Sequence, residues 1–258
     1  MKQVWTRSQL VLAFLLAPAS GAGQVAEPLV TDRPDFTESS LSVPGGVVQL
    51  EAGYTFTRVS DISSHSFGEV LVRLGIGGPL EFRLGLNSYV VTTSNGLTQD
   101  GLEDLGLGVK VELLEGSGTV PALGLIAAVS VPTGAESFSS DGTGADLVLA
   151  AGWDIGSRWS VGSNVGFVGG VLDDGSDNQW LGSIAVGRSV SARAAVFGEV
   201  YGLTVATGDA DIFIDGGATF ALNEDFQLDL RVVRQVSGAE RGTHLGVGFA
   251  HRWQITSQ

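Results

Sequence analysis

The sequence predicts an all-β chain: a transmembrane, antiparallel up-and-down β-barrel of about twelve strands, preceded by a secretory signal peptide and a short N-terminal segment. Three observations carry this expectation. Glycine supplies 38 of 258 residues, twice the usual share of about 7 %. Only 16 % of residues are charged and mean hydropathy is +0.25. Yet the longest apolar run, from Leu10 to Ala17, falls far short of the roughly 18 residues of a membrane-spanning helix. From Val47 onward, runs of about ten residues alternate apolar with polar or small side chains, and turn-rich breaks separate them, as in strands that meet lipid on one face only. A multi-span helical transporter, a coiled coil and a disordered chain are excluded.

Residues 1–23 read as the signal peptide. Lys2 and Arg7 form a basic start, Leu10 to Ala17 an apolar core, and the small or turn-forming residues that follow a cleavage region near Ala22 or Gly23. Residues 24–46 form the N-terminal segment, and 47–256 the barrel. The twelve runs begin near Val47, Phe67, Leu80, Leu102, Val120, Gly144, Arg158, Gln179, Ala192, Asp211, Phe226 and Thr243. An even number suits a bacterial barrel with both termini on the periplasmic side.

Alternation names the faces, because successive strand side chains point to opposite sides. In the first run Leu50, Ala52, Tyr54 and Phe56 oppose Gln49, Glu51, Gly53, Thr55 and Thr57. In the third, Leu80, Phe82, Leu84 and Leu86 oppose Glu81, Arg83, Gly85 and Asn87. One face is thus aliphatic and aromatic, and the other is glycine, charge and amide. Abundant glycine suits an inner wall that a backbone or bound segment approaches closely. The breaks alternate in length: 60–66, 92–101 and 132–143 are long, whereas 77–79, 115–119 and 156–157 are short. Extracellular loops and periplasmic turns alternate in this way. Trp153, Trp159, Phe82, Phe226 and Trp253 fall at one rim, and Phe56, Phe67, Phe167 and Trp180 at the other, as in two interfacial belts. A soluble β-sandwich is the competing fold.

With 14 Lys and Arg against 28 Asp and Glu, the formal charge is −14, so nucleic acid is a poor partner. The chain has no Cys, which removes disulfides, thiolate metal sites and a Cys nucleophile. Its histidines, His65, His244 and His251, come with no serine in a Gly-x-Ser-x-Gly elbow. The run Asp173, Asp174, Gly175, Ser176, Asp177, Asn178 lacks EF-hand order and reads as a solvated acidic turn. No enzyme activity, metal or cofactor is expected.

The stretch Thr31-Asp32-Arg33-Pro34-Asp35-Phe36-Thr37-Glu38-Ser39 precedes Val43-Pro44-Gly45-Gly46 and Leu50-Glu51-Ala52-Gly53-Tyr54-Thr55. Together with Asp104-Leu105-Gly106-Leu107-Gly108-Val109-Lys110 and Pro132-Thr133-Gly134, it resembles the proteobacterial family named for the MetA pathway of phenol degradation, whose members are labelled transporters. The resemblance spans 31 to 253. It implies an outer-membrane β-barrel linked to uptake of aromatic or other small organic compounds. The alternate Phe249, His251 and Trp253 resemble a barrel-assembly signal, from which His251 departs.

The inward charges are the candidate site. Glu51, Arg73, Glu81, Arg83, Lys110, Glu112, Arg193, Glu199, Asp229, Arg231 and Arg252, with Glu69, Asp104 and Asp215, are expected to line the lumen. There they either orient a solute or pair with one another to fill the bore. Asp32, Arg33, Asp35 and Glu38 either fold into the lumen as a plug or stay on a periplasmic tail. The expected function is passive passage of small, aromatic or hydrophobic organic solutes across a Gram-negative outer membrane, by a monomer whose partners are membrane lipid and the barrel-assembly machinery. A non-conducting structural or surface-interaction barrel is the alternative, with a lipid-acting barrel enzyme ranked behind it.

Overall fold

The computed structural model describes residues 29–255 except 141, 171–177, 206–209 and 239–240. The signal peptide and the acidic run at 173–177 lie outside the described residues. Every regular element among the described residues is a strand: β1 (Val47–Val59), β2 (Ile62–Gly77), β3 (Leu80–Ser94), β4 (Leu97–Leu102), β5 (Leu105–Leu114), β6 (Ala122–Val131), β7 (Gly144–Ile155), β8 (Trp159–Gly170), β9 (Gln179–Ser189), β10 (Ala194–Val205), β11 (Asp211–Asn223), β12 (Phe226–Ser237) and β13 (Gly242–Gln254).

All pairings are antiparallel. Twelve strands form a closed wall: β1 pairs with β2 on one side and with β13 on the other, from Val47↔Gln254 to Val59↔Gly242. Closure leaves no edge in lipid, where an unpaired backbone group is costly. The outer face carries the apolar half of each alternation, with Phe67, Leu149, Trp180, Ile184, Leu230 and Val247 exposed. In water this surface would be an aggregation hazard; in a bilayer it is the anchoring surface, which disfavours the β-sandwich.

The wall has the expected twelve strands, and three details are corrected. A further short strand, β4, pairs only with β3 and extends that hairpin beyond the wall. The break at 92–101 is therefore a hairpin, turning at Asn95 (φ 51°) and Gly96 (φ 78°), the Asn-Gly pair that a two-residue turn favours. The break at 60–66 is a tight turn at Ser60 and Asp61, since β2 starts at Ile62. His65 thus sits in a strand, where the Tyr54 hydroxyl lies 2.8 Å from its Nδ1. Finally, the inner face is not uniformly polar. Ile126, Val148 and Leu181 are buried against one another inside the barrel.

The outer loop at 132–143 is tied down by one carboxylate between β4 and β5. Asp104 accepts from Thr133 N (2.9 Å), Gly134 N (2.8 Å), Ser139 Oγ (2.6 Å), Ser140 N (2.9 Å) and Ser140 Oγ (2.8 Å). Burial pushes this carboxyl up, but these donors outweigh it and hold it well below the usual carboxylate range. A lowered native value stabilises the loop above the ordinary carboxylate range, and that stability is lost as pH falls through the lowered value. We expect Asp104→Ala to speed proteolysis of loop 132–143 by about tenfold or more at neutral pH, given net values near 1.5–3 kcal/mol per bond to a charged group.

Candidate functional site

Residues 29–46 fold into the lumen, at the end where β1 starts and the connections are short. Two features of the wall admit them. The first is a set of glycines on the inner face. A Cβ at Gly53 would lie 2.3 Å from Arg33 Nη2, at Gly75 1.9 Å from the Pro44 carbonyl oxygen, at Gly124 2.4 Å from the Ser40 carbonyl oxygen, and at Gly162 3.0 Å from Thr37 Cγ2. The segment runs where the wall has no side chains.

The second feature is charge. Asp32 faces three cations: Arg83 Nη1 at 2.6 Å, Lys110 Nζ at 2.9 Å and Arg73 Nη1 at 3.2 Å. Arg73, fully buried, also donates to Glu51 (2.9 Å), Glu81 (2.8 Å) and the carbonyls of Val30 (3.1 Å) and Leu41 (3.2 Å). Arg33 pairs with Glu69 at 2.8 Å and Asp229 at 3.4 Å, and Glu38 with Arg83 at 2.9 Å. Glu112 accepts Ser42 N (2.6 Å) and Oγ (2.9 Å), Glu81 accepts Val43 N (2.7 Å), and Glu199 accepts Phe36 N (2.7 Å). Asp32 and Glu38 of the segment thus form one network with Glu51, Glu81, Arg73, Arg83 and Lys110 of the wall, and Arg33 forms a second with Glu69 and Asp229. Such a network contributes little net stability against an apolar filling, but it fixes one geometry, and removing a single member strands its partners.

Not every predicted lumen residue joins it. Arg193 is exposed on the turn before β10 rather than in the bore, because β10 starts at Ala194. Arg252 faces inward at the short-turn end and pairs with Asp225 at 2.8 Å. Arg231 and Asp215 face the lumen, but Arg231 Nε and both Asp215 carboxylate oxygens are buried without a hydrogen-bond partner. Asp104 anchors the outer loop instead.

Asp35 behaves opposite to Asp32. Burial raises the Asp35 carboxyl well above the usual range, and Glu199 nearby adds to this. Burial also opposes ionisation of Asp32, but Arg73, Lys110 and Arg83 outweigh it and hold that group well below the range. A raised carboxyl means the docked segment binds its proton more tightly than the free one. Its share of docking is therefore complete at low pH and fades as pH rises from the free value through the docked one. We expect Asp35→Asn to tighten docking at pH 8, because the ionised carboxyl docks less well than its protonated form. Protease protection of residues 29–46 against pH would register it, with the alkaline weakening flattened in the variant.

Sequence reasoning missed the apolar side of the site. Phe36 leaves the charged network and packs on Ile126, Val148 and Leu181, with Val168 and Leu203 alongside. Its ring stacks on Tyr201 (centroids 4.2 Å, 8° between planes), and Tyr201 stacks on Phe213 (4.7 Å, 7°). Those wall residues are at inward positions of their alternation, a signal visible in the sequence that aliphatic character disguised. Below this seat a cavity of 570 Å³ lies between the segment and the short-turn ends of β6 to β11, bounded by small residues such as Gly152, Gly162, Ala185 and Gly187.

The histidines make separate contacts: His244 Nδ1 lies 3.0 Å from Thr57 Oγ1, and His251 Nδ1 lies 2.8 Å from the Asp225 carbonyl oxygen.

The barrel resembles solved bacterial membrane proteins in fold. An outer membrane channel from Pseudomonas putida F1 superposes with a TM-score of 0.67 at 13 % identity, covering 83 % of this chain and 98 % of that one. The KdgM porin, solved in complex with disordered oligogalacturonate, gives 0.53 at 9 % identity, covering 78 % and 98 %. The translocator domain of the autotransporter NalP from Neisseria meningitidis gives 0.52 at 11 % identity, covering 82 % and 90 %. Among curated protein sequences none matches the chain. The inner-face glycines, the charged segment and the closed wall lie within residues 31–253, the span matched by the family described as "Putative MetA-pathway of phenol degradation", and the chain belongs to that family.

Proposed function

We propose that this barrel is a monomeric outer-membrane channel that lets small aromatic or hydrophobic organic solutes pass down their gradient, with residues 29–46 restricting the bore. The observation that carries this reading is the division of the lumen. One side is a charged network that holds the segment; the other is the apolar and aromatic surface of Ile126, Val148, Leu181, Tyr201 and Phe213. A wall that only filled its bore would have no need of an aromatic row leading towards the outer end. Such a row gives a planar apolar solute stacking surface where a water-filled porin offers polar side chains. The channels among its structural neighbours, and the phenol-degradation label of the family, agree with this direction. The apolar outer face and the signal peptide read in the sequence support this location.

The test is solute entry into proteoliposomes of the purified full-length chain, comparing benzyl alcohol with glucose after subtracting flux through protein-free vesicles. Faster benzyl alcohol entry without faster glucose entry is expected. Equal rates for both solutes would contradict the selectivity, and no protein-dependent flux would favour a non-conducting barrel.

A further inference from the structure

We infer that the seat of Phe36 in the lumen wall is a binding site for a neutral, monocyclic aromatic ring, which Phe36 itself fills when no solute is present. The inference deepens the channel reading and rests on it, because a solute has to enter the lumen to reach the seat. The seat belongs to the wall, whereas its occupant belongs to a segment outside the wall. Ile126, Val148 and Leu181 are buried around it, and Val168 and Leu203 pack alongside. Tyr201 supplies the stacking face, 4.2 Å from the Phe36 centroid and 8° from parallel. The stack continues through Phe213, near the outer end of β11, to His244 near the outer end of β13, 6.2 Å further and edge-on. A ring entering from outside therefore meets a row of aromatic faces that ends where Phe36 sits.

The size and charge of the ring follow from the same residues. Phe36 is one six-membered ring, so the seat is cut for one. Its border is acidic: Asp35 adjoins Phe36, Glu199 accepts the Phe36 amide at 2.7 Å and the Thr37 hydroxyl at 2.5 Å, and Asp215 is the register partner of Glu199. Arg231, on β12, is the nearby cation from the wall. A benzoate-like anion would enter beside Glu199, whereas a neutral ring rests on the apolar bed without a charge to oppose. Exchange of the rings would free the tip of the segment around 35–37, while Asp32 stays held by Arg73, Arg83 and Lys110.

The probes are benzyl alcohol and benzoate, on the purified full-length chain in lipid nanodiscs, with binding read by ligand-observed NMR. Phe36→Ala vacates the seat, so benzyl alcohol should bind at least tenfold tighter than to the unmodified chain, with no gain for benzoate. Equal affinity in both proteins, or an equal gain for benzoate, would overturn the inference. A second measurement keeps Phe36 in place. The chain has no Cys, so Ser39→Cys carries a single nitroxide. Saturating benzyl alcohol should mobilise that nitroxide, and the added change Tyr201→Leu should abolish the response; an unchanged spectrum would also overturn the inference. Liposome flux without these binding effects removes the seat and leaves the channel, whereas binding effects without flux remove the channel and leave the seat.

Discussion

Replacing Arg73 by methionine is expected to release residues 29–46 from the lumen while the wall stays closed. Arg73 is fully buried and, among the described residues, is the one cation that reaches Asp32, Glu51 and Glu81 together, at 3.2, 2.9 and 2.8 Å. It also donates to two carbonyls of the segment, those of Val30 and Leu41. Methionine keeps much of the volume and removes every donor. Lys110 and Arg83 still face Asp32, but Glu51 loses its salt-bridge partner. Stranding buried charge in this way costs about 3–5 kcal/mol, which is roughly a hundred-fold or more in the docking equilibrium. The wall's backbone ladder does not pass through this side chain. Limited proteolysis should therefore cut the segment at least a hundred times faster in Arg73→Met, with the detergent-resistant barrel unchanged. Unaltered protection would mean that the segment is held by its shape alone.

The second large effect is steric. At Gly75 a Cβ would lie 1.9 Å from the Pro44 carbonyl oxygen and 2.4 Å from that of Val43. Both obstacles are backbone, fixed in turn by Gly46 N donating to the Gly75 carbonyl at 2.9 Å and Val43 N to Glu81 at 2.7 Å. No side chain can swing aside. Gly75→Val should thus expel the stretch at 43–46, at a cost above the roughly 1–3 kcal/mol of ordinary overpacking. Gly182→Ala is the matched control, since a Cβ there meets nothing within 4 Å. The valine variant is expected to lose protection of the segment and the alanine variant to keep it. Loss of the folded barrel in Gly75→Val, rather than loss of the segment alone, would show that the strap and the wall fold as one unit.

How far the sequence discloses this arrangement differs by element. The wall is legible because lipid on one side and a bore on the other force a two-residue period. The starts of β1, β3, β7, β9, β11 and β12 coincide with the runs read from alternation. The outer ends of β2 and β3 are not, because strands that rise above the bilayer lose the lipid-facing half of the pattern. There the Asn95-Gly96 pair was the remaining signal, and it lay inside what reads as a polar loop. Among the lumen charges, Glu51, Arg73, Glu81, Arg83 and Lys110 are buried together as their alternation places them. Arg193 misleads because periodicity extends past the strand end. That Asp32 and Arg33 find partners far along the chain, in Lys110 and Asp229, is a long-range fact that no local pattern carries. Phe36 is obscured for a different reason: its neighbours in sequence are charged, while its partners in space are aliphatic residues on β6, β7 and β9 that resemble the lipid-facing set.

The most direct measurement is single-channel conductance in a planar bilayer, with the full-length chain and with a variant lacking residues 24–46. A bore restricted by its own N-terminal segment predicts small or intermittent conductance for the full chain and larger, steady conductance for the deletion. Identical steady conductance from both would contradict the restriction, and silence from both would contradict an ion-conducting bore behind it.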